Sequence, residues 1–174
     1  MRGIVVDGVG CSGKSDLIAT LKTELKVVGG YDVRELDHSD CEDQFTRYLR
    51  EYATGATVLF HRSHLSEMVF GQIQRNRPPF FDAEIAALNT VLSLRFVSVL
   101  AEPPNYETFV RRAAERGTLR VYSKREYMDV IEAFRRAFRG IPHEQYVSTS
   151  RTDLAATRNR ILSTLGVKRT VLDL

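Results

Sequence analysis

The 174-residue chain has no tryptophan, only two cysteines and only three methionines. Cys11 and Cys41 stand alone, so neither a disulfide framework nor a thiolate metal site can be assembled from them, and a reducing cytosol is the expected compartment. Long apolar runs are missing as well. The stretch Ile4-Val5-Val6 stops at Asp7, short of a signal-peptide core, and nothing approaches the ~20 apolar residues of a bilayer span. No membrane partner is expected. Charge of one sign is not in large excess: 25 basic against 22 acidic residues leave a net +3. That mild basicity suits a phosphate-bearing ligand and leaves nucleic acid open without requiring it. Repeats, low-complexity tracts and linkers are absent, so residues 1–174 are expected to form one domain.

What is present alternates between strand and helix signals, the pattern of an α/β domain with a mainly parallel sheet. Strands are expected at Gly3 to Asp7, Tyr31 to Leu36, Thr57 to Phe60, Phe96 to Leu100 and Tyr146 to Ser148. The first helix runs from Ser15 to Val28, with Leu17, Ile18, Leu21 and Leu25 on one face and Gly29-Gly30 as its stop. Asp40 opens a second, carrying Phe45, Tyr48, Leu49 and Tyr52. A third covers Ser66 to Arg75 and is interrupted at Gly71; Pro78-Pro79 then breaks the chain. Asp82 caps a helix to about Leu94, and Pro103-Pro104 leads into another from Tyr106 to Glu115. Arg116-Gly117 ends that one. A helix with Tyr127, Ile131, Phe134 and Phe138 on one side follows, and Asp153 to Leu165 closes the chain.

The strongest local signal is Gly8-Val9-Gly10-Cys11-Ser12-Gly13-Lys14-Ser15, which fits G-x-x-x-x-G-K-[ST] between a buried strand and an amphipathic helix. Gly8 and Gly13 let the backbone turn its N–H groups inward as a nest for phosphate oxygens. The helix start adds its positive dipole end. Lys14 should reach the β- and γ-phosphates, and the Ser15 hydroxyl should ligate Mg²⁺. Cys11, within the loop, reads as a small tolerated side chain. The pattern therefore points to a nucleoside triphosphate, ATP with Mg²⁺.

A GTPase would need an Asn-Lys-x-Asp after a later strand, and the sequence has none. A kinase needs cationic groups to neutralise a transferring phosphoryl group. Arg111, Arg112, Arg116, Arg120, Lys124 and Arg125 cluster around a glycine break, where an Arg-rich lid over about residues 111–126 is expected. The alternative for each arginine singly is a solvated helix face.

The segment His61-Arg62-Ser63-His64-Leu65-Ser66-Glu67-Met68-Val69-Phe70-Gly71 resembles the Asp-Arg-x-x-x-Ser-x-x-x-Tyr segment of thymidylate kinases and their deoxynucleoside kinase relatives. Asp7 before the loop, Arg75 downstream and Arg112 with Arg116-Gly117 are similar to that family too. The Ser-Glu after the arginine is similar to phage-type thymidylate kinase-like proteins. The resemblance implies a five-stranded parallel sheet of order 2-3-1-4-5 flanked by helices, and ATP- and Mg²⁺-dependent phosphorylation of a deoxynucleotide-type acceptor. It implies that Arg62 holds the acceptor or transferring phosphate while Arg112 and Arg116 close on it. It also implies acceptor contacts from Glu67, Phe70 and Arg75, although Phe70 reads equally as a core aromatic. A homodimer through helices beside the sheet is compatible with the family.

The sequence departs from that pattern in three places. His61 stands where the family has an Asp that organises the Mg²⁺ water shell, so either Asp7 takes over as a metal residue or the metal is held more weakly. Gly10 replaces an Asp that contacts the acceptor sugar, and Gly71 replaces a Gln that reads the thymine edge. These losses keep a second reading open, a kinase acting on a hydroxyl of a nucleoside or of a modified base in DNA. Asp37 would then serve as base, though Asp-His-Ser-Asp also reads as a loop. His61 and His64 sit at the same rim. A third reading is a nucleotide-binding module with little catalysis.

Overall fold

Residues Gly3–Gly8 (β1) are buried without exception, because neighbours cover both edges and both faces. A computed structural model describes residues 3–28, 32–35, 43–54, 58–76, 79–117, 122–149 and 151–167. Within them β1 pairs in parallel with Val58–His61 (β3) on one side and Phe96–Glu102 (β4) on the other. Asp32–Glu35 (β2) lies outside β3 and His143–Val147 (β5) outside β4, also parallel, so the strands lie in the order β2-β3-β1-β4-β5. Every such connection needs a crossover, which is why helix and strand alternate along the chain.

Side-chain alternation along β1 divides the core in two. Ile4 and Val6 face Leu17, Ile18, Leu21 and Leu25 of Lys14–Val28 (α1) and Ile161 and Leu162 of Arg151–Thr164 (α7). Val5 faces the opposite way, into a larger cluster. That cluster is built from Gln44–Ala53 (α2), His64–Arg75 (α3), Asp82–Arg95 (α4), Tyr106–Glu115 (α5) and Lys124–Ala137 (α6). The α/β class with helices on both sheet faces is therefore as expected from the sequence.

Several boundaries differ from expectation. The third helix starts two residues earlier, at His64, because Ser63 caps it by accepting a hydrogen bond from the Leu65 N–H at 3.1 Å. It also runs through Gly71 unbroken. A methyl group at Gly71 would stand 3.0 Å from the Arg75 guanidinium, so the glycine there clears a path for Arg75. Asp82 is the first helical residue and not the cap; Glu84 reaches back to the Phe81 N–H instead. Asp43 caps α2, accepting from the Thr46 N–H, while Asp40 lies outside the described residues. Much of the expected lid span is helix: residues 111–115 end α5, and 124–126 open α6 behind a Ser123–Glu126 capping box. Residues 118–121 lie outside the described residues.

His64 joins three helices. Its ring is completely buried, with Nδ1 2.8 Å from the Tyr52 hydroxyl (α2) and Nε2 2.9 Å from Asn89 Oδ1 (α4). The Tyr52 hydroxyl also accepts from the His64 backbone N–H. The bonds fit a neutral ring that donates from Nε2 and accepts at Nδ1. Burial pushes the His64 pKa down to about 4, only partly opposed by the bond to Asn89 and the field of Asp7. The unfolded chain therefore takes up a proton near pH 6.5 that the folded chain refuses until about pH 4. Stability contributed by His64 is present above pH 6.5 and is lost as pH falls through that window, by on the order of 3 kcal/mol. Urea unfolding at pH 7 and pH 4.5 should show the loss, and His64→Gln should reduce the difference between the two. His64 is a structural residue and not a rim base.

Candidate active site

The loop after β1 is bracketed by two backbone positions that few side chains tolerate. Gly8 has φ +139° and Gly13 φ +87°. A methyl group on Gly8 would meet the Ala101 carbonyl oxygen at 2.0 Å, and one on Gly13 would meet Ser148 Oγ at 2.7 Å. Gly10 has nothing within 4 Å, so the rim opens outward there. Cys11 adopts the left-handed conformation at φ +58° and is buried. The Leu17 N–H to Gly13 O bond begins the helical ladder directly behind the loop.

Lys14 spans this loop. Its ammonium donates to Gly8 O at 2.8 Å, Val9 O at 2.7 Å and, more weakly, Ser12 Oγ at 3.4 Å, and is almost fully buried. Burial, reinforced by the nearby Arg62 guanidinium, lowers its pKa to about 7; Asp7 and Cys11 oppose this and Arg116 adds to it. Arg62 and Arg116 thus both place positive charge near the Lys14 ammonium. That field is what an incoming polyanion would neutralise. Ser15 is exposed at the start of α1.

Arg62 follows the last residue of β3 with φ +81°, a left-handed backbone at a non-glycine position. Its N–H continues the sheet ladder to Val6 O at 3.0 Å, and its guanidinium lies 5.4 Å from the centre of the Phe70 ring. Phe70 is otherwise core: it is buried and packs edge-on against Phe134 of α6. Of the two readings of Phe70, base stacking and core aromatic, this packing matches the second, and the ring also carries the Arg62 guanidinium. Glu67 and Arg75 were expected at the acceptor. They pair with each other at 2.5 Å along α3, with Glu67 almost fully buried.

Arg112 makes contacts that the sequence does not show. From α5 it donates to Ser148 Oγ at 2.7 Å, Ser148 O at 3.1 Å and Cys11 O at 3.3 Å. It is therefore a clasp that ties the phosphate loop to the end of β5, and Arg116 alone of the pair ends α5 exposed. Arg111 pairs outward with Glu115. Arg112→Ala and Ser148→Ala should each weaken ATP binding about tenfold while leaving turnover at saturation within about threefold, because both loosen the loop without removing a reacting group. Equilibrium binding and initial rates would check this.

Asp7 is fully buried, and its carboxylate accepts from the Ser63 N–H at 2.8 Å, Ser63 Oγ at 2.6 Å and Ser66 Oγ at 2.5 Å. Both oxygens thus accept hydrogen bonds from the start of α3. Among the described residues no group of three or more His, Cys, Asp or Glu side chains could hold a metal. Ser15 does fit a Mg²⁺ that arrives with the phosphates of a nucleotide, since such ions keep water and phosphate oxygens as most of their shell. Asp37 lies outside the described residues. Sequence reading quoted Ser66 as a motif residue without a role and gave none to Ser63 or Ser148. Ser63 has a cap signature, but the side-chain bond of Ser148 to Arg112 leaves no local pattern.

No protein-family model and no curated protein matches the chain by sequence. Solved structures do match. The YorR protein of Bacillus subtilis, in complex with phosphorylated GDP, is similar at TM-score 0.78 and 15% identity, covering 96% of this chain and 99% of YorR. Deoxyadenosine kinase of M. mycoides with bound dATP is similar at TM-score 0.55 and 13% identity, over 91% of this chain and 98% of that one. Thymidylate kinase of Ehrlichia chaffeensis follows at 0.54 and 11%, over 94% and 98%. The chain has the α/β fold of these nucleotide kinases, with the glycine-rich loop at the end of β1.

Proposed function

We propose that the protein is an ATP- and Mg²⁺-dependent phosphotransferase that moves the γ-phosphoryl group to a deoxynucleotide-type acceptor. The observation carrying this reading is the convergence of Lys14, Arg62 and Arg116 on one loop whose glycines leave room for phosphate. The loop N–H groups and the start of α1 would bind the β- and γ-phosphates. Lys14 would move from the Gly8 and Val9 carbonyls toward the anion. Arg62 would hold the acceptor or transferring group in line, and Arg116 would approach from the end of α5. These cations stabilise charge that spreads over the phosphoryl oxygens during transfer. Ser15, together with phosphate oxygens of the nucleotide, would hold a Mg²⁺ that would further neutralise that charge. An acceptor phosphate is already ionised, so positioning matters more than a base. The likeness to YorR, whose structure holds phosphorylated GDP, supports a nucleotide in this cleft.

The test is transfer of label from γ-labelled ATP to a panel of deoxynucleoside monophosphates, nucleosides and duplex DNA. Label on a monophosphate is expected. Label only on a nucleoside or DNA hydroxyl would replace the acceptor class and bring Asp37 back as base. ATP binding without transfer to any acceptor would leave a binding module.

A further inference from the structure

The buried carboxylate of Asp7 stands beside the loop, yet its three hydrogen bonds all run to the start of α3. Consecutive amides of the β3–α3 turn are tied to consecutive residues of β1: the Arg62 N–H to Val6 O and the Ser63 N–H to Asp7 Oδ1. Between those two anchors the Arg62 backbone is held at φ +81°, a left-handed conformation that a non-glycine residue keeps only where its surroundings impose it. The Ser63 hydroxyl has one proton. It donates this to Asp7 Oδ2 while accepting from the Leu65 N–H, so the same carboxylate also orients the cap of α3. Ser66, in the first turn of the helix, adds the third bond. From this pinned turn the Arg62 side chain runs over the Phe70 ring, on the same helix, toward Lys14.

We infer that Asp7 is the positioning residue for Arg62: through Ser63 and Ser66 it fixes the strained turn that aims the guanidinium at the phosphate loop. The inference rests on the phosphotransfer reading for its kinetic consequence, and on geometry alone for its structural one. Asp7→Asn replaces one acceptor oxygen by a donor facing the Ser63 hydroxyl, and Ser66→Ala removes one bond with little change of volume. A displacement of about 1 Å at a positioning group can lower turnover by roughly 100-fold.

The experiment combines a coupling cycle with a spectroscopic signature. Asp7→Asn should lower kcat by about 100-fold and Ser66→Ala by about tenfold, with ATP affinity and the Mg²⁺ half-saturation within threefold of wild type. In an Arg62→Ala background neither change should lower kcat further, because the group they position is gone. The Arg62 Nε–H proton should resonate upfield in the wild type, where the guanidinium lies over the Phe70 ring, and should move toward its free position in both variants. Undiminished losses in the Arg62→Ala background, or a tenfold rise in the Mg²⁺ requirement with the Arg62 resonance unmoved, would overturn the inference. Ser66→Ala decides the matter if Asp7→Asn does not fold. If the wild type transfers phosphoryl to no acceptor, the function reading fails separately, and the Arg62 resonance alone decides the positioning claim.

Discussion

Replacing Lys14 by methionine should abolish phosphoryl transfer, lowering kcat/KM by roughly 10³–10⁴-fold, while the melting temperature stays within about 4 °C of wild type. The two halves of this expectation have different causes. The activity falls because the ammonium is the only lysine charge within the loop and lies beside the field of Arg62 and Arg116. Stability holds because Lys14 is held at a cost in the unliganded fold. A pKa lowered from 10.5 to about 7 corresponds to a penalty on the order of 5 kcal/mol against the charged form. Methionine removes that penalty, and against it stand two carbonyls, Gly8 O and Val9 O, that lose a donor, at about 1–3 kcal/mol each where water cannot replace it. The terms offset. Their pH dependence has a definite sign: between pH 7 and 10.5 the unfolded chain binds the proton that the folded chain lacks, so wild-type stability from this group rises with pH across that window. The advantage of Lys14→Met is therefore full below pH 7 and fades toward pH 10.5. Calorimetry at pH 6.5 and pH 9 would check it. A variant that kept near wild-type turnover would remove the phosphate loop from the mechanism.

The loop motif was legible because its chemistry is local: glycines at set positions, a lysine and a serine, between a β-branched strand and an amphipathic helix. The α/β alternation was legible for the same reason, since buried parallel strands read as short apolar runs. What could not be read were contacts between residues far apart in sequence. Arg112 reaches Ser148, and Asp7 reaches Ser63 and Ser66, across the sheet. Read in isolation they suggest a phosphate arginine and a metal carboxylate; the bonds that each also makes to a distant serine leave no trace in the local pattern. Phe70 shows the same limit. Helical spacing placed it on an inward face, but spacing says nothing of the guanidinium above it. Gly71 misled differently: a glycine inside a helical pattern reads as an interruption, while here it makes room for the Arg75 side chain.

Two glycines of the loop should respond to the same substitution in opposite ways. Gly8→Ala is expected to destabilise the fold by about 3 kcal/mol or more and to leave little soluble protein at 37 °C. Gly8 sits in register with Ala101 in the β1–β4 ladder, and its φ of +139° aims a new methyl at the Ala101 carbonyl oxygen, 2.0 Å away. That obstacle is backbone within the central sheet, so relief would require strand β1 or β4 to shift and would disturb Asp7 and Val6 with it. Gly10→Ala meets nothing within 4 Å and has no positive φ to lose, so its stability should stay within about 0.5 kcal/mol of wild type. Any effect of Gly10→Ala should appear in the acceptor KM and not in the melting temperature, since its methyl group would point into the open rim. Denaturant unfolding of both variants, paired with acceptor titrations of Gly10→Ala, separates the two roles: one glycine is required by the sheet, the other by whatever enters above the loop. A Gly8→Ala protein as stable as wild type would mean that β1 and β4 do not approach this closely.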